Sequence, residues 1–339
     1  MLPTRELPGT DVKTSAVGFG CAGLFRIPRR SGRLSVLDAA YEAGIRHFDV
    51  APMYGLGLAE AELASFLRRR RADVTVTTKF GIDPTLLARG AARVQAPLRA
   101  FVATRPHLQG GLRSAGQGPR SGPLGSLLYS SHGYHRGAAQ RSLERSLRAL
   151  GTDCIDVFLL HDPAGGHLAS APELMDYLAE ERRLGRIRCW GVTGQPSGLP
   201  AITQRLARAE VVQFRDDIFS GRFPPAAGSA GGRARITYGA LERALPALRQ
   251  FFARRPDALT TWSERLGADL AAESALPRVL LSAAIRRNEA GPVLFSTTRP
   301  ERIAVAAEAA AASVSPAGAE MEALNELATA AAAGETGTS

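Results

Sequence analysis

The chain has 339 residues, 45% of them hydrophobic and 22% charged, which is the balance of a folded globular protein and argues against a disordered or fibrous one. No run of about 18 uncharged apolar residues occurs, which argues against a transmembrane helix, and Met1–Glu6 hold no apolar run like that of a secretory signal. The three cysteines, Cys21, Cys154 and Cys189, form no CxxC pair, so neither a disulfide framework nor a zinc site is expected, and the protein reads as reduced and cytoplasmic.

The net charge is +10, and its basic residues are almost all arginine, with lysine only at Lys13 and Lys79. Residues 84–143 hold no Asp or Glu but carry Arg89, Arg93, Arg99, Arg105, Arg113, Arg120, Arg136 and Arg141. Such a stretch can attract an anionic substrate or a polyanion. A solvated, arginine-biased surface loop accounts for it equally well.

In chain order, Ala16–Gly20 reads as a strand. A helix over 34–43 follows, with Leu34, Leu37 and Tyr41 on one face and Gly44 as its stop. A strand at His47–Ala51 leads to a helix at 58–70, and Val74–Lys79 is a β-branched strand. After a Gly-, Pro-, Ser- and Arg-rich interval, helix 139–150 ends at Gly151 and strand 155–160 follows. Helix 171–184, strand 187–193, helix 198–208, strand 210–214 and strand 234–238 continue the rhythm. Further helical patterns lead to strand 292–295, helix 300–312 and an alanine-rich helix near 317–333. Eight strands, nearly all followed by helices, predict an α/β chain with a closed (β/α)8 barrel. A single barrel domain over 1–333 is expected. It carries an insertion at 83–138 between the third strand and its helix, a smaller loop at 221–233, and a flexible tail at 334–339. Loops as long as 83–138 are usually functional or disordered.

Gly18-Phe19-Gly20-Cys21-Ala22-Gly23 has the letters of a dinucleotide fingerprint, but Pro28, Arg29, Arg30 and Gly32 intervene before helical periodicity resumes. A phosphate-binding helix N-terminus requires the helix to open at the last glycine, so this segment is a flexible strand end. Lys79 is more informative. A lysine ending a strand, in a chain of forty arginines, supplies a compact charge that arginine cannot replace. The C-terminal ends of barrel strands carry catalytic groups. Asp49 and His161 end or follow neighbouring strands, and Tyr54 lies on the loop after Asp49. His132 and His135 lie in a loop with no acidic residue or cysteine nearby, and His161 and His167, six apart across Asp162 and Pro163, lack metal-ligand spacing; the chain has no GxSxG for a hydrolase.

These residues sit in segments that resemble one family. His47-Phe48-Asp49-Val50-Ala51-Pro52-Met53-Tyr54-Gly55, Val76-Thr77-Thr78-Lys79-Phe80-Gly81 and Leu150–Pro163, which contains His161, are similar to the Asp/Tyr, lysine and histidine segments of the aldo-keto reductases. The resemblance implies a TIM barrel that moves a hydride between a nicotinamide cofactor and the carbonyl or alcohol carbon of an aldehyde, ketone or sugar. By position Tyr54 would be the general acid or base, Lys79 and Asp49 would tune it, and His161 would orient the carbonyl. The resemblance assigns cofactor contacts to Thr193, Gln213 and Tyr238, and to Ser296, Thr297, Thr298, Arg299 and Arg302 at the adenosine end. Gly194 stands where the family has Asn, and Val305 and Ala306 stand where it often has Glu and Asn. NADP(H) is expected in preference to NAD(H), because guanidinium groups and hydroxyls at a helix start suit a 2′-phosphate. The partner expected is a small carbonyl or alcohol substrate, anionic ones included, with no nucleic acid, membrane or metal. A non-catalytic barrel with a regulatory or interaction role is the alternative.

Overall fold

The computed structural model describes residues 2–90, 128–131, 133–220, 232–315 and 318–336. The chain opens with an antiparallel hairpin, β1 (Thr4–Glu6) and β2 (Lys13–Ser15). Eight parallel strands then close into a barrel. They are β3 (Val17–Gly20), β4 (His47–Asp49), β5 (Thr75–Phe80), β8 (Ile155–His161), β9 (Ile187–Thr193), β10 (Val211–Arg215), β11 (Ala234–Tyr238) and β12 (Val293–Phe295). Closure is made where Phe295 of β12 pairs with Phe19 of β3. Two further strands, β6 (Ile82–Pro84) and β7 (Tyr129–Ser131), form a short antiparallel ribbon across the base of the insertion.

The (β/α)8 barrel inferred from the alternation of strands and helices is the fold observed. Helices α1 (Arg30–Glu42), α2 (Ala59–Leu67), α3 (Arg136–Leu150), α4 (Ala171–Arg183) and α5 (Leu199–Arg205) wrap the first strands. Between β11 and β12 lie α6 (Ala244–Arg254), α7 (Pro256–Leu266) and α8 (Ala275–Arg287), and α9 (Ile303–Ala312) and α10 (Gly318–Thr336) close the chain. Most boundaries fall within a few residues of the expected ones. The helix expected at 300–312 opens as a 3-10 turn at Pro300–Arg302 before α9 begins, because proline has no N–H to give and suits a first turn. The last helix extends to Thr336, into the expected tail. Parts of the 83–138 interval are also regular: β6, β7 and the first turn of α3 fall inside it. Residues 91–127, which carry most of its arginines, and 221–231 of the smaller loop lie outside the described residues, as does His132.

Side chains alternate along each strand, and this period builds two layers. Phe48, Val76, Phe80, Phe158, Leu160, Trp190, Val192, Val212 and Phe214 face outward and bury against the helices. Residues of the other parity, including Val157, Leu159, Val211, Ala234 and Ile236, fill the barrel interior. The hairpin plugs the lower end: Leu7 and Val12 pack into that interior cluster. The floor is also polar. His47 bonds through Nδ1 to the Thr75 hydroxyl at 3.0 Å and through Nε2 to that of Thr77 at 3.1 Å, and Thr14 meets Thr75 at 2.7 Å. A separate apolar cluster joins α6, α7, α8 and α10 through Leu248, Phe252, Trp262, Leu280, Leu324 and Leu327.

Candidate active site

The same alternation assembles the site. His47, Thr75, Thr77, Val157 and Leu159 face the barrel interior, so counting by twos upward brings Asp49, Lys79 and His161 to the C-terminal ends of β4, β5 and β8 on that face. Lys79 is 1% exposed, and a buried ammonium must be paired to be tolerated. Its Nζ donates to Asp49 Oδ1 at 2.6 Å, to the Val50 carbonyl at 3.1 Å and to the Tyr54 hydroxyl at 3.2 Å. Those contacts use the three donors an ammonium has. Burial pushes the Lys79 pKa down, but the Asp49 carboxylate and Tyr54 outweigh it, and the net shift is upward. Lys79 is therefore ionised throughout the neutral range.

Tyr54 opens a tight 3-10 turn whose next residues, Gly55 and Leu56, both have left-handed backbone, φ +58° and +55°. Phe25 covers this turn so closely that a Cβ on Gly55 would lie 2.5 Å from its ring. The turn aims the phenol back over the barrel, where its ring meets that of His161 edge-on, centroids 6.4 Å apart. Asp49, Tyr54, Lys79 and His161 thus converge on one place at the mouth. Cys21 lies against it as well. Its thiol is pushed up first by burial and then by Asp49, with Lys79 opposing, so it is a neutral wall of the site.

Thr193 and Tyr238 end β9 and β11, and Gln213 lies mid-strand on β10 between them. The contact of Gln213 is one that sequence reasoning missed: its Nε2 donates to Asp49 Oδ2 at 2.7 Å. Asp49 therefore holds Lys79 with one oxygen and Gln213 with the other. Thr193 is buried, its carbonyl accepting the Asp162 N–H at 3.0 Å, and Tyr238 is partly exposed, with Arg215 over its ring at 5.8 Å. At β12 the Ser296 hydroxyl donates to the Gly20 carbonyl at 2.8 Å, so it serves strand closure. Thr297 Oγ accepts the Arg299 N–H at 3.1 Å, which shapes the turn. Thr298, Arg299 and Arg302 are exposed at the start of α9. A flat ring, amide and hydroxyl groups deep in the mouth, and cations at the rim suit the nicotinamide and phosphate ends of a dinucleotide. The glycine-rich Gly18–Gly23 segment leads into a 3-10 turn, Cys21–Arg26, as expected for a strand end that is not a phosphate-binding loop. Tyr134, inside the insertion, and Gly81, at the end of the lysine segment, also bear on the end of the His161 strand, and nothing in the sequence signalled that contact.

The sequence model of the aldo/keto reductase family matches residues 16–214. The chain belongs to the aldo-keto reductase family. Among its relatives, this aldo-keto reductase is 30% identical over 201 residues to a D-threo-aldose 1-dehydrogenase of a Pseudomonas species, covering 58% of this chain and 54% of that protein. It is 29% identical to a pyridoxal 4-dehydrogenase of Microbacterium luteolum, over 47% of this chain and 42% of that protein. The chain spans about half the length of the curated relatives it matches. In fold it is similar to an aldo-keto reductase of Bacillus halodurans in its holo form, with TM-score 0.66, 19% identity and 96% of each chain covered. It is also similar to a glycerol dehydrogenase of Gluconobacter oxydans, with TM-score 0.67, 16% identity and coverage of 96% and 94%. Among the described residues of this family member, no helix is long and apolar enough to cross a membrane.

Proposed function

We propose that the protein is an NADP(H)-dependent oxidoreductase acting between the carbonyl and alcohol forms of a small aldehyde, ketone or sugar. The observation that carries this reading is the three-way contact of the buried Lys79 ammonium with Asp49, Val50 and Tyr54. A phenol with its ordinary pKa near 10 is a weak acid at neutral pH. A cation in hydrogen-bond contact favours the phenolate and so makes the phenol a better proton donor. Asp49 fixes that cation, and Gln213 fixes Asp49. Tyr54 accepts from Lys79 and gives its own proton to the carbonyl oxygen in reduction. In oxidation the phenolate takes the alcohol proton back. His161, edge-on to Tyr54, orients the oxygen and stabilises its developing charge.

A reduced nicotinamide bound at the mouth supplies the hydride for this reaction. Tyr238 would lie against its ring, Thr193 and Gln213 would bond its carboxamide, and Arg299 and Arg302 would hold the 2′-phosphate. The acid-free stretch adds a preference for substrates bearing carboxylate or phosphate, through charge-assisted contacts. The relatives' names, an aldose dehydrogenase and a pyridoxal dehydrogenase, support a small polar carbonyl or alcohol. The test is titration of NADPH and NADH by fluorescence, followed by a panel of aldehydes, ketones and sugars with the tighter cofactor. The reading expects tighter NADPH binding and cofactor-dependent turnover of at least one compound. Binding of neither cofactor would instead assign the barrel a non-catalytic role.

A further inference from the structure

Strands β5 and β8 pair only as far as Phe80 and Leu160. One residue on, Gly81 turns away with φ +110°, which leaves the His161 carbonyl beyond the ladder. A buried carbonyl at a strand end must find its donor elsewhere. The Tyr134 hydroxyl donates to it. Tyr134 is 2% exposed and lies between β7 and α3. Its ring stacks on that of His167 with centroids 5.7 Å apart and is tilted against Phe80 at 6.0 Å. A Cβ on Gly81 would fall 2.2 Å from the Tyr134 ring, so the glycine is what admits the tyrosine to this position. Burial raises the Tyr134 phenol first, with Asp162 adding to it, and the group is a donor at any neutral pH. On the other side of the same bend, Asp162 has φ +52° and donates its N–H to the Thr193 carbonyl at 3.0 Å. The backbone that carries the His161 imidazole is therefore held from the β9 side by Thr193 and from the β5 side by Tyr134.

We propose that Tyr134, seated in the space that Gly81 leaves, is a positioning residue that pins the end of β8 and so sets the His161 imidazole against Tyr54. This rests on the oxidoreductase reading for its kinetic consequence, but not for its structural one. Tyr134 follows β7, whose pairing with β6 closes the base of the 83–138 insertion. The insertion's anchor and the orienting histidine are thereby one mechanical unit.

Tyr134→Phe keeps the ring and removes only the donor. Its expected effect is a fall of about tenfold or more in kcat for the carbonyl substrate, since small displacements of a reacting group are costly, with the NADPH Kd unchanged. The imidazole resonances of His161 in histidine-labelled protein should shift by NMR with no cofactor present. Gly81→Ala, which drives the ring off its seat, should give the same pair of effects. Tyr177→Phe, which removes a buried hydroxyl on α4, should give neither. Wild-type kcat with unshifted His161 resonances in Tyr134→Phe overturns the proposal. If that variant does not fold, the same result in Gly81→Ala overturns it. Absence of any turnover in the wild-type protein defeats the functional reading instead, and the His161 resonances then decide the role of Tyr134 alone.

Discussion

Lys79 shows how a single residue type can carry a site. In an arginine-rich chain its presence at a strand end marked the position, and its three contacts give the reason. An ammonium is small enough to reach Asp49, the Val50 carbonyl and Tyr54 from one point, whereas a planar guanidinium spreads its donors over a wider fork. Lys79→Arg should therefore lower kcat by about a hundredfold or more, the range of a lost acid–base group, while NADPH binding is kept; a near-wild-type rate in a stopped-flow assay would show that charge alone suffices. Gly55 is a second decisive position. Gly55→Ala combines a left-handed backbone, which costs a side chain about 1–2 kcal/mol, with a Cβ placed 2.5 Å from the Phe25 ring. It should displace Tyr54 and cut kcat even in protein that stays folded by circular dichroism. Asp49 and His161 were legible at this scale because their residue types and strand-end positions were both visible, and Tyr54 because it stands five residues past Asp49 on the loop that follows. The Gln213–Asp49 bond was not, because it depends on which rotamer an amide takes inside the barrel.

At the scale of elements, the strands and helices were legible from apolar periodicity and glycine stops. Helix α3 carries its stripe of Ala139, Leu143 and Leu150 inward and ends at Gly151, φ +63°. The β1–β2 hairpin was not legible, because its three-residue strands are too short to show a period. It matters to the barrel nonetheless: Leu7, 1% exposed, seals the floor, and Leu7→Ala should cost about 2–5 kcal/mol in a urea melt, as for a buried leucine elsewhere. The floor also titrates. Burial pushes His47 down from its usual value of 6.5 to about 4, against the opposing pull of Asp49 and Asp156. Between those values the unfolded chain binds a proton that the folded chain refuses, so stability is complete above pH 6.5 and falls as the pH drops toward 4. The loss from this residue is about 3 kcal/mol. Urea midpoints at pH 7 and pH 4.5 check it: His47→Asn, though weaker at pH 7, should lose clearly less on acidification than the wild type. An equal loss in both would remove His47 as the acid-sensitive group.

For the whole molecule, the alternation of strands and helices led to the closed barrel, and side-chain parity explains why the residues that matter share its mouth. The order of the chain does not reveal how α6, α7, α8 and α10 gather into their own apolar cluster, since their stripes meet only after the barrel has closed. The rim is where cofactor choice is tested: Arg302→Ala should weaken NADPH binding about tenfold and leave NADH unchanged, the loss of one charge-assisted contact to a phosphate; equal effects on both cofactors would place the 2′-phosphate elsewhere. The central claim is that Tyr54, tuned by Lys79 and Asp49, is the proton donor of a nicotinamide-dependent carbonyl reduction. The most direct measurement is single-turnover reduction of the best carbonyl substrate by NADPH in wild type and Tyr54→Phe, with the cofactor Kd determined on the same samples. The expected result is a rate lower by at least about a hundredfold at an unchanged Kd, and a Tyr54→Phe protein that reduces its substrate at the wild-type rate would contradict the account.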